Sequence, residues 1–382
     1  MGSNVTISRA GEIQAPVLDV SRRTRRTPWS TRVEAAGVQG YTVYNHMLLP
    51  TRFRGVEEDY WHLRRSVQIW DVGCERQVEI AGPDAGRLAQ LLTTRDLSGA
   101  AAGRCLYAPL CDPEGGVVND PILLKLADDR YWLSVADADV VLWARGIAFG
   151  LGLEVGVEEP EVWPLAVQGP HAEDLVAAVL GEAVREIRFF HFVTMSFGGR
   201  PLIVSRSGWS HQGGFEVYVD DGELGGQLWD ALWAAGQPMD VRPGCPNLIE
   251  RIEAGLLSYG NDMTRENTPL ECDLDRYCAL DAPIEFLGKD AIRRQRDAGV
   301  PRRVRGVEFD GPPCPPCVEP WPVVSGERLI GQITSAAWSP RLRRNVAIGM
   351  VDAGRWDPGT TVVVETPDGP RPGTVSLLPF PS

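Results

Sequence analysis

The sequence predicts an α+β protein: two copies of one α+β unit followed by an all-β domain. Three observations lead there. Two segments repeat a strand, a Gly-Pro break and a helix. Each is followed downstream by a second strand of matching character. From about Pro301, helical spacing gives way to short β-rich runs between Pro and Gly turns. At 382 residues the chain exceeds one ordinary core, so two or three domains are expected.

The first copy starts with Arg76–Gly82 (RQVEIAG). Pro83 follows, then a helix marked by Leu88, Leu91 and Leu92. The second starts with Trp163–Gly169 (WPLAVQG), then Pro170 and a helix marked by Leu175, Val176, Val179 and Leu180. Proline suits the first turn of a helix, where its missing N–H costs nothing. Tyr131–Val135 and Phe215–Val219 are the matching later strands, and a duplication would bring Ser134 and Tyr218 towards one cavity. A recurring β–turn–α element without symmetry fits the same spacing. Asp112–Asp120 (DPEGGVVND) is a turn that delivers Asn119 and Asp120 to the strand Pro121–Leu126. Helices are expected over Glu223–Gly236 and Glu250–Leu257. Strands follow over Val304–Phe309, Leu329–Thr334, Val346–Val351 and Thr361–Thr366, with Gly311–Pro322 as an exposed Pro-rich loop.

Composition narrows the function. A net charge of −13 argues against nucleic acid or an acidic membrane as partner. The basic run Arg22–Arg26 reads as a solvated arm. Eight scattered cysteines suit reduced thiols and a cytoplasmic protein. Cys314 and Cys317 have ligand spacing without a second pair, so a loop with two spare thiols is expected and no metal. No apolar stretch approaches membrane-spanning length. Met1-Gly2…Thr6 fits a myristoylation pattern, which in so short a match is expected to be chance.

Familiar catalytic patterns are missing from the sequence. Gly208-Trp209-Ser210-His211-Gln212 has glutamine where a nucleophile elbow needs glycine. Gly150-Leu151-Gly152 falls short of a dinucleotide fingerprint, and there is no P-loop. The five histidines lack metal-ligand spacing. Two acids remain as candidates. Glu216 lies in a strand between Phe215 and Val217, beside a glycine turn that carries Trp209. An acid buried there needs a partner, and a heterocycle rich in N–H donors could supply it while stacking on Trp209. An exposed strand glutamate beside a surface tryptophan fits the spacing equally well. Asp120 follows a small-residue turn and precedes Pro121; it can face a cavity or simply cap the turn.

Joined together, these runs resemble the glycine-cleavage T-protein (aminomethyltransferase) family of folate-dependent one-carbon transfer proteins. The matching segments are Gly115–Asp120 (GGVVND), Ser205–Glu216, Arg251–Asp262 (RIEAGLLSYGND), Thr268–Glu271 (TPLE), Phe286–Lys289 (FLGK) and Thr334–Pro340 (TSAAWSP). The N-terminal runs Arg22–Pro28, Glu34–Gly37 and Tyr41–Pro50 resemble the dimethylsulfoniopropionate demethylase branch. So do Trp70–Val72, Cys74–Val78, Pro164–Pro170 and Gly244–Asn247.

The resemblance implies a three-domain cloverleaf with tetrahydrofolate in a central channel. Its expected division is residues 1–290, two interleaved α+β domains with the second repeat starting near 155, and residues 300–382, a barrel-like β domain. It also implies roles for single residues. Asp120 is the catalytic acid beside the reacting folate nitrogen, and Glu216 takes the pterin N–H edge. Tyr107, Ser134, Phe190, Trp209 and Tyr218 line the folate site. Tyr44, Trp209 and His211 meet the methyl donor, and aromatic faces favour a compact cation.

The chain departs from the branch pattern at His211, where lysine is usual, and in Cys105–Glu114, Trp163 and Cys272–Cys278. The leading expectation is methyl transfer from a sulfonium donor, dimethylsulfoniopropionate or a close relative, to N5 of tetrahydrofolate. An aminomethyltransferase of glycine cleavage is the alternative, against which Asn119 stands where that branch has a second aspartate. A folate-dependent N- or O-demethylase, transfer in the reverse direction, and a non-catalytic folate-binding protein are further readings. A homodimer is expected.

Overall fold

The computed structural model describes Val5–Thr6, Val17–Leu18 and residues 20–381. The Met1-Gly2 start of the myristoylation pattern lies outside the described residues. The chain divides into two compact units: Met1–Gln77 with Pro160–Asn247, and Val78–Glu159 with Leu248–Ser382. The class is α+β, as expected.

The first unit is built on a six-stranded sheet. Its order is Phe192–Phe197, Arg200–Ser205, Gly214–Val219, Trp163–Gln168, Gln68–Asp71 and Arg242–Gly244. Only the last pairing is parallel. The helices Ala172–Leu180 and Gly222–Gly236 cover one face, packing Leu175, Val176, Leu228 and Leu232 against Val167, Phe215 and Val217. Because strand side chains alternate, Glu216 and Tyr218 point to the other face. The second helix is capped by Asp221, whose carboxylate accepts from the N–H groups of Glu223 and Leu224.

The second unit holds a five-stranded sheet and a barrel. The sheet order is Gly156–Glu158, Gln77–Ala81, Arg130–Ser134, Ile122–Ala127 and Cys105–Tyr107. Ala85–Leu92 and Val140–Leu151 pack on the face formed by Val78, Ile80, Leu106, Leu123 and Leu133. Tyr107 and Ser134 both pair with Ile122 and lie on the opposite face. The six barrel strands are Arg302–Phe309, Arg344–Asp352, Arg328–Ser339, Trp321–Ser325, Thr361–Thr366 and Gly369–Ser376, in that closed order. The all-β C-terminal region is therefore a closed barrel.

The duplicated element is visible in local geometry. Asp84 and His171, the residues ahead of the two matching helices, have φ/ψ of −95°/10° and −96°/10°. Gly82 and Gly169 have φ of +133° and +122°, and a Cβ on either would press into a backbone carbonyl, Glu154 O at 2.9 Å or Ser66 O at 2.3 Å. Pro83 and Pro170 stand just ahead of these cap residues, so they sit outside the first helical turn where the sequence placed them. The helix expected over Glu250–Leu257 runs instead from Leu248 to Ala254. Asn345 pins the Pro-rich loop: its side chain accepts from Cys314 N and donates to a series of carbonyls from Phe309 to Pro312. Cys314 and Cys317 pack against the barrel core.

Candidate functional site

In the first unit, the turn preceding the strand of Glu216 is built around one amide. A Cβ on Gly208 or Gly214 would meet the Gln168 side chain at 2.0 or 2.5 Å, so both glycines leave space for it. Gln168 Nε2 donates to Ser207 O at 3.2 Å, and Ser210 Oγ donates to Gln168 Oε1 at 2.7 Å. These bonds hold the turn that presents Trp209, which is partly buried.

Glu216 itself is 6% exposed, which settles the choice between a surface acid and a buried one. Its Oε2 accepts from Ser207 Oγ at 2.5 Å and from the Tyr218 hydroxyl at 3.3 Å. Burial raises its proton affinity, and the surrounding hydroxyls pull against that. Among the described residues no cation pairs with it. Ser205 lies directly across the ladder from Glu216, and its hydroxyl meets that of Ser207 at 2.5 Å. Among the described residues, then, this buried acid is supported by hydroxyls, on the sheet face opposite the helices.

The second unit carries the other acid. Asp112 shapes the turn before it, accepting from Glu114 N at 3.1 Å and Gly116 N at 2.9 Å. Gly116 has no room for a Cβ, which would come within 2.3 Å of Arg265 O. Asp120 then falls between the strands Val117–Asn119 and Ile122–Ala127 and is partly buried. Tyr107 OH donates to Asp120 Oδ2 at 2.9 Å. Burial pushes the Asp120 carboxyl up to about 7, with Asp262 adding to the rise and the Tyr107 bond opposing it. Tyr107 packs edge-on against Tyr277, ring centres 4.9 Å apart. Asn119 is locked to the loop after Ser134: its Nδ2 donates to Ala136 O at 3.2 Å, and its Oδ1 accepts from Ala136 N at 3.0 Å.

The remaining expected residues fall in varied places. Phe190 has φ of +57°, is partly buried and lies 4.7 Å from the ring of Phe189. Tyr44 ends a hairpin strand whose turn residues, Asn45 and His46, both have positive φ. His211 is exposed. Sequence reasoning missed Ser207, although it lies inside the segment that singled out Glu216. It also missed Asp71, a fully enclosed acid pushed up to about 6 by burial, which accepts from Thr27 Oγ1 at 2.5 Å and Gly73 N at 3.1 Å. A Trp-Asp-Val run alone carries no signal for that.

The geometry has counterparts in known proteins. The GCVT N-terminal domain model matches residues 30–282, and the glycine cleavage T-protein C-terminal barrel domain model matches residues 302–381. The chain belongs to the glycine-cleavage T-protein family. It is accordingly a folate-dependent one-carbon transferase. Within this family it is 56% identical to the dimethylsulfoniopropionate demethylase DmdA of Ruegeria pomeroyi, over 93% of this chain and 97% of that one. It is 31% identical to an aminomethyltransferase of Clostridium botulinum, over 80% and 83% of the two chains. The crystal structure of the glycine cleavage system aminomethyltransferase T from Bartonella henselae superposes with a TM-score of 0.84 at 25% identity. That match covers 94% of this chain and 98% of the other.

The residues present fit the folate of this family. A heterocycle edge made of neutral N–H donors satisfies a buried carboxylate that has hydroxyls but no cation beside it, which is the state of Glu216 among the described residues.

Proposed function

We propose that this protein is a dimethylsulfoniopropionate demethylase, transferring a methyl group from the sulfonium to N5 of tetrahydrofolate. The observation that carries the reading is the 56% identity to the Ruegeria pomeroyi demethylase over nearly the full length of both chains. Asn119 supports it, because the side chain both donates to and accepts from Ala136. An aspartate, as expected for the aminomethyl branch, would lose the donor.

When bound, tetrahydrofolate supplies a nucleophilic amine as methyl acceptor. A sulfonium methyl is already electrophilic, so the protein's task is alignment and management of charge. Glu216 accepts hydrogen bonds from the pterin edge, with Ser207 and Tyr218 holding its carboxylate in place. Tyr107, Ser134, Phe190 and Trp209 complete the folate-binding set. Tyr44, Trp209 and His211 are the donor-facing residues. Asp120 is the catalytic acid–base group: its carboxylate stabilises the positive charge that arrives with the methyl group and takes the proton released. A value of about 7 suits that exchange near neutral pH.

The two α+β repeats, dividing near residue 155 within 1–290, carry these groups, and 300–382 is the barrel domain. Among the described residues no helix is long and apolar enough to cross a membrane. The protein is a cytoplasmic homodimer acting on small molecules.

Incubation of the purified protein with tetrahydrofolate and one of two donors separates the family's branches. The sulfonium acid should yield a thioether acid and methylfolate. An aminomethyl group on a lipoyl carrier should give no methylenefolate. The opposite pattern identifies an aminomethyltransferase.

A further inference from the structure

We propose that Arg95 and Arg276, which both lie over the ring of Tyr277 in the second unit, form an anion site for a carboxylate of the protein's ligand. The inference rests on the folate reading above and extends it.

Tyr277 is flanked by two guanidinium groups. The central carbon of Arg95 lies 5.3 Å from its ring centre and that of Arg276 lies 4.7 Å away. Arg95 also donates to Tyr107 O at 3.2 Å, on the same residue whose hydroxyl holds Asp120. The backbone around Tyr277 is tied to Thr94: Thr94 Oγ1 donates to Tyr277 O at 2.9 Å, and Ala279 N donates to Thr94 O at 2.9 Å. The segment Cys272–Cys278, where the chain departs from the branch pattern, thus presents an aromatic ring with two cations over it.

Among the described residues no carboxylate forms an ion pair with Arg95, Arg104 or Arg276. The two acids that precede Arg276 in this segment, Asp273 and Asp275, are taken up by Arg303. Burial and the nearby charges of Arg104 and Arg276 all weaken the hold of Arg95 on its proton. A chain with net charge −13 has acids enough to neutralise such a cluster, yet among the described residues none pairs with it. Guanidinium groups stacked on an aromatic ring keep their N–H edges free for the bidentate binding that a carboxylate favours.

Two ligands of the proposed reaction carry a carboxylate: the glutamyl tail of folate and the sulfonium acid. Calorimetric titration of the full chain distinguishes them with paired probes. Tetrahydrofolate is compared with its dimethyl ester, in which both glutamate carboxylates are masked, and dimethylsulfoniopropionate with its methyl ester. Arg276→Gln and the double variant R95Q/R276Q should bind one acid at least tenfold more weakly and leave its acid-free partner unchanged. Loss confined to tetrahydrofolate assigns the tail; loss confined to the sulfonium acid assigns the donor. Arg276→Lys, which keeps the charge, should recover part of the loss. Binding of all four probes by the unaltered protein without preference for the acids overturns the anion site alone. Failure of all four to bind overturns the folate reading and the site's ligand with it.

Discussion

The hydroxyl of Tyr107 donates to Asp120 Oδ2 at 2.9 Å, the bond that most opposes the upward pull of burial on that carboxyl. Tyr107→Phe removes the donor while keeping the ring. The Asp120 value should then rise above about 7, and the pH–rate curve should move to higher pH by about one unit. Initial rates of methylfolate formation between pH 6 and 9 check this. An unmoved curve would separate Asp120 from the rate-controlling ionisation.

Asp120→Asn keeps the shape and removes the base. Turnover should drop about a hundredfold or more, the usual scale for a lost acid–base group. Stability should respond in the other direction. The folded value of about 7 lies above the ordinary 3.8, so the neutral acid is favoured by folding. That contribution is complete below 3.8 and is lost as pH rises through 7. The asparagine variant should therefore melt like the parent at pH 4 and above it at pH 8. Each pH unit between the two values is worth about 1.4 kcal/mol at most. Calorimetric melts at the two pH values decide it.

Glu216→Gln replaces the buried acceptor with an amide of the same size. Hydrogen bonds to a charged group contribute about 1.5–3 kcal/mol, so tetrahydrofolate affinity should fall roughly tenfold to a hundredfold. Ser207→Ala, which frees Glu216 from its 2.5 Å hydroxyl partner, should weaken binding less. Fluorescence titration of the two variants gives the comparison, and equal affinity in Glu216→Gln and the parent would remove Glu216 from the site.

Arg251 and Asp262 form a buried ion pair at 2.7 Å, with side chains 7% and 0% exposed. Arg251 also donates to Ser335 Oγ at 2.5 Å, and Ser335 and Thr334 donate to Asp262 at 2.6 and 2.8 Å. The pair thus anchors a barrel strand. Asp262→Ala leaves a buried guanidinium unpaired and should cost about 3–5 kcal/mol. Because Asp262 helps raise Asp120, the same variant should shift the pH–rate curve downward, opposite to Tyr107→Phe. Urea titration and the rate profile report the two effects separately.

Much of this was legible in the residues, and the reasons differ from element to element. Thr361–Thr366 was found to the residue because β-branched residues dominate it. Gly369–Ser376 was invisible: Pro370 and Pro372 lie inside it, and proline argues against a strand until the barrel partner Thr361–Thr366 is known. Glu216 was visible as a candidate from alternation, but its burial depends on packing around the whole sheet. The roles of Tyr277 and Arg95 required pairings across long stretches of chain, such as Thr94 with Tyr277, for which spacing holds no signal. Asp71 stayed hidden for the same reason, since its partner Thr27 belongs to a distant N-terminal run.

The most direct test is to follow a labelled methyl group. Dimethylsulfoniopropionate carrying carbon-13 in its S-methyl groups is mixed with tetrahydrofolate and the purified protein, and the products are read by NMR. One label should appear on N5 of folate and the other remain on the thioether acid, in equal amounts. Label confined to unreacted sulfonium, or a thioether acid formed without methylfolate, would contradict the assignment.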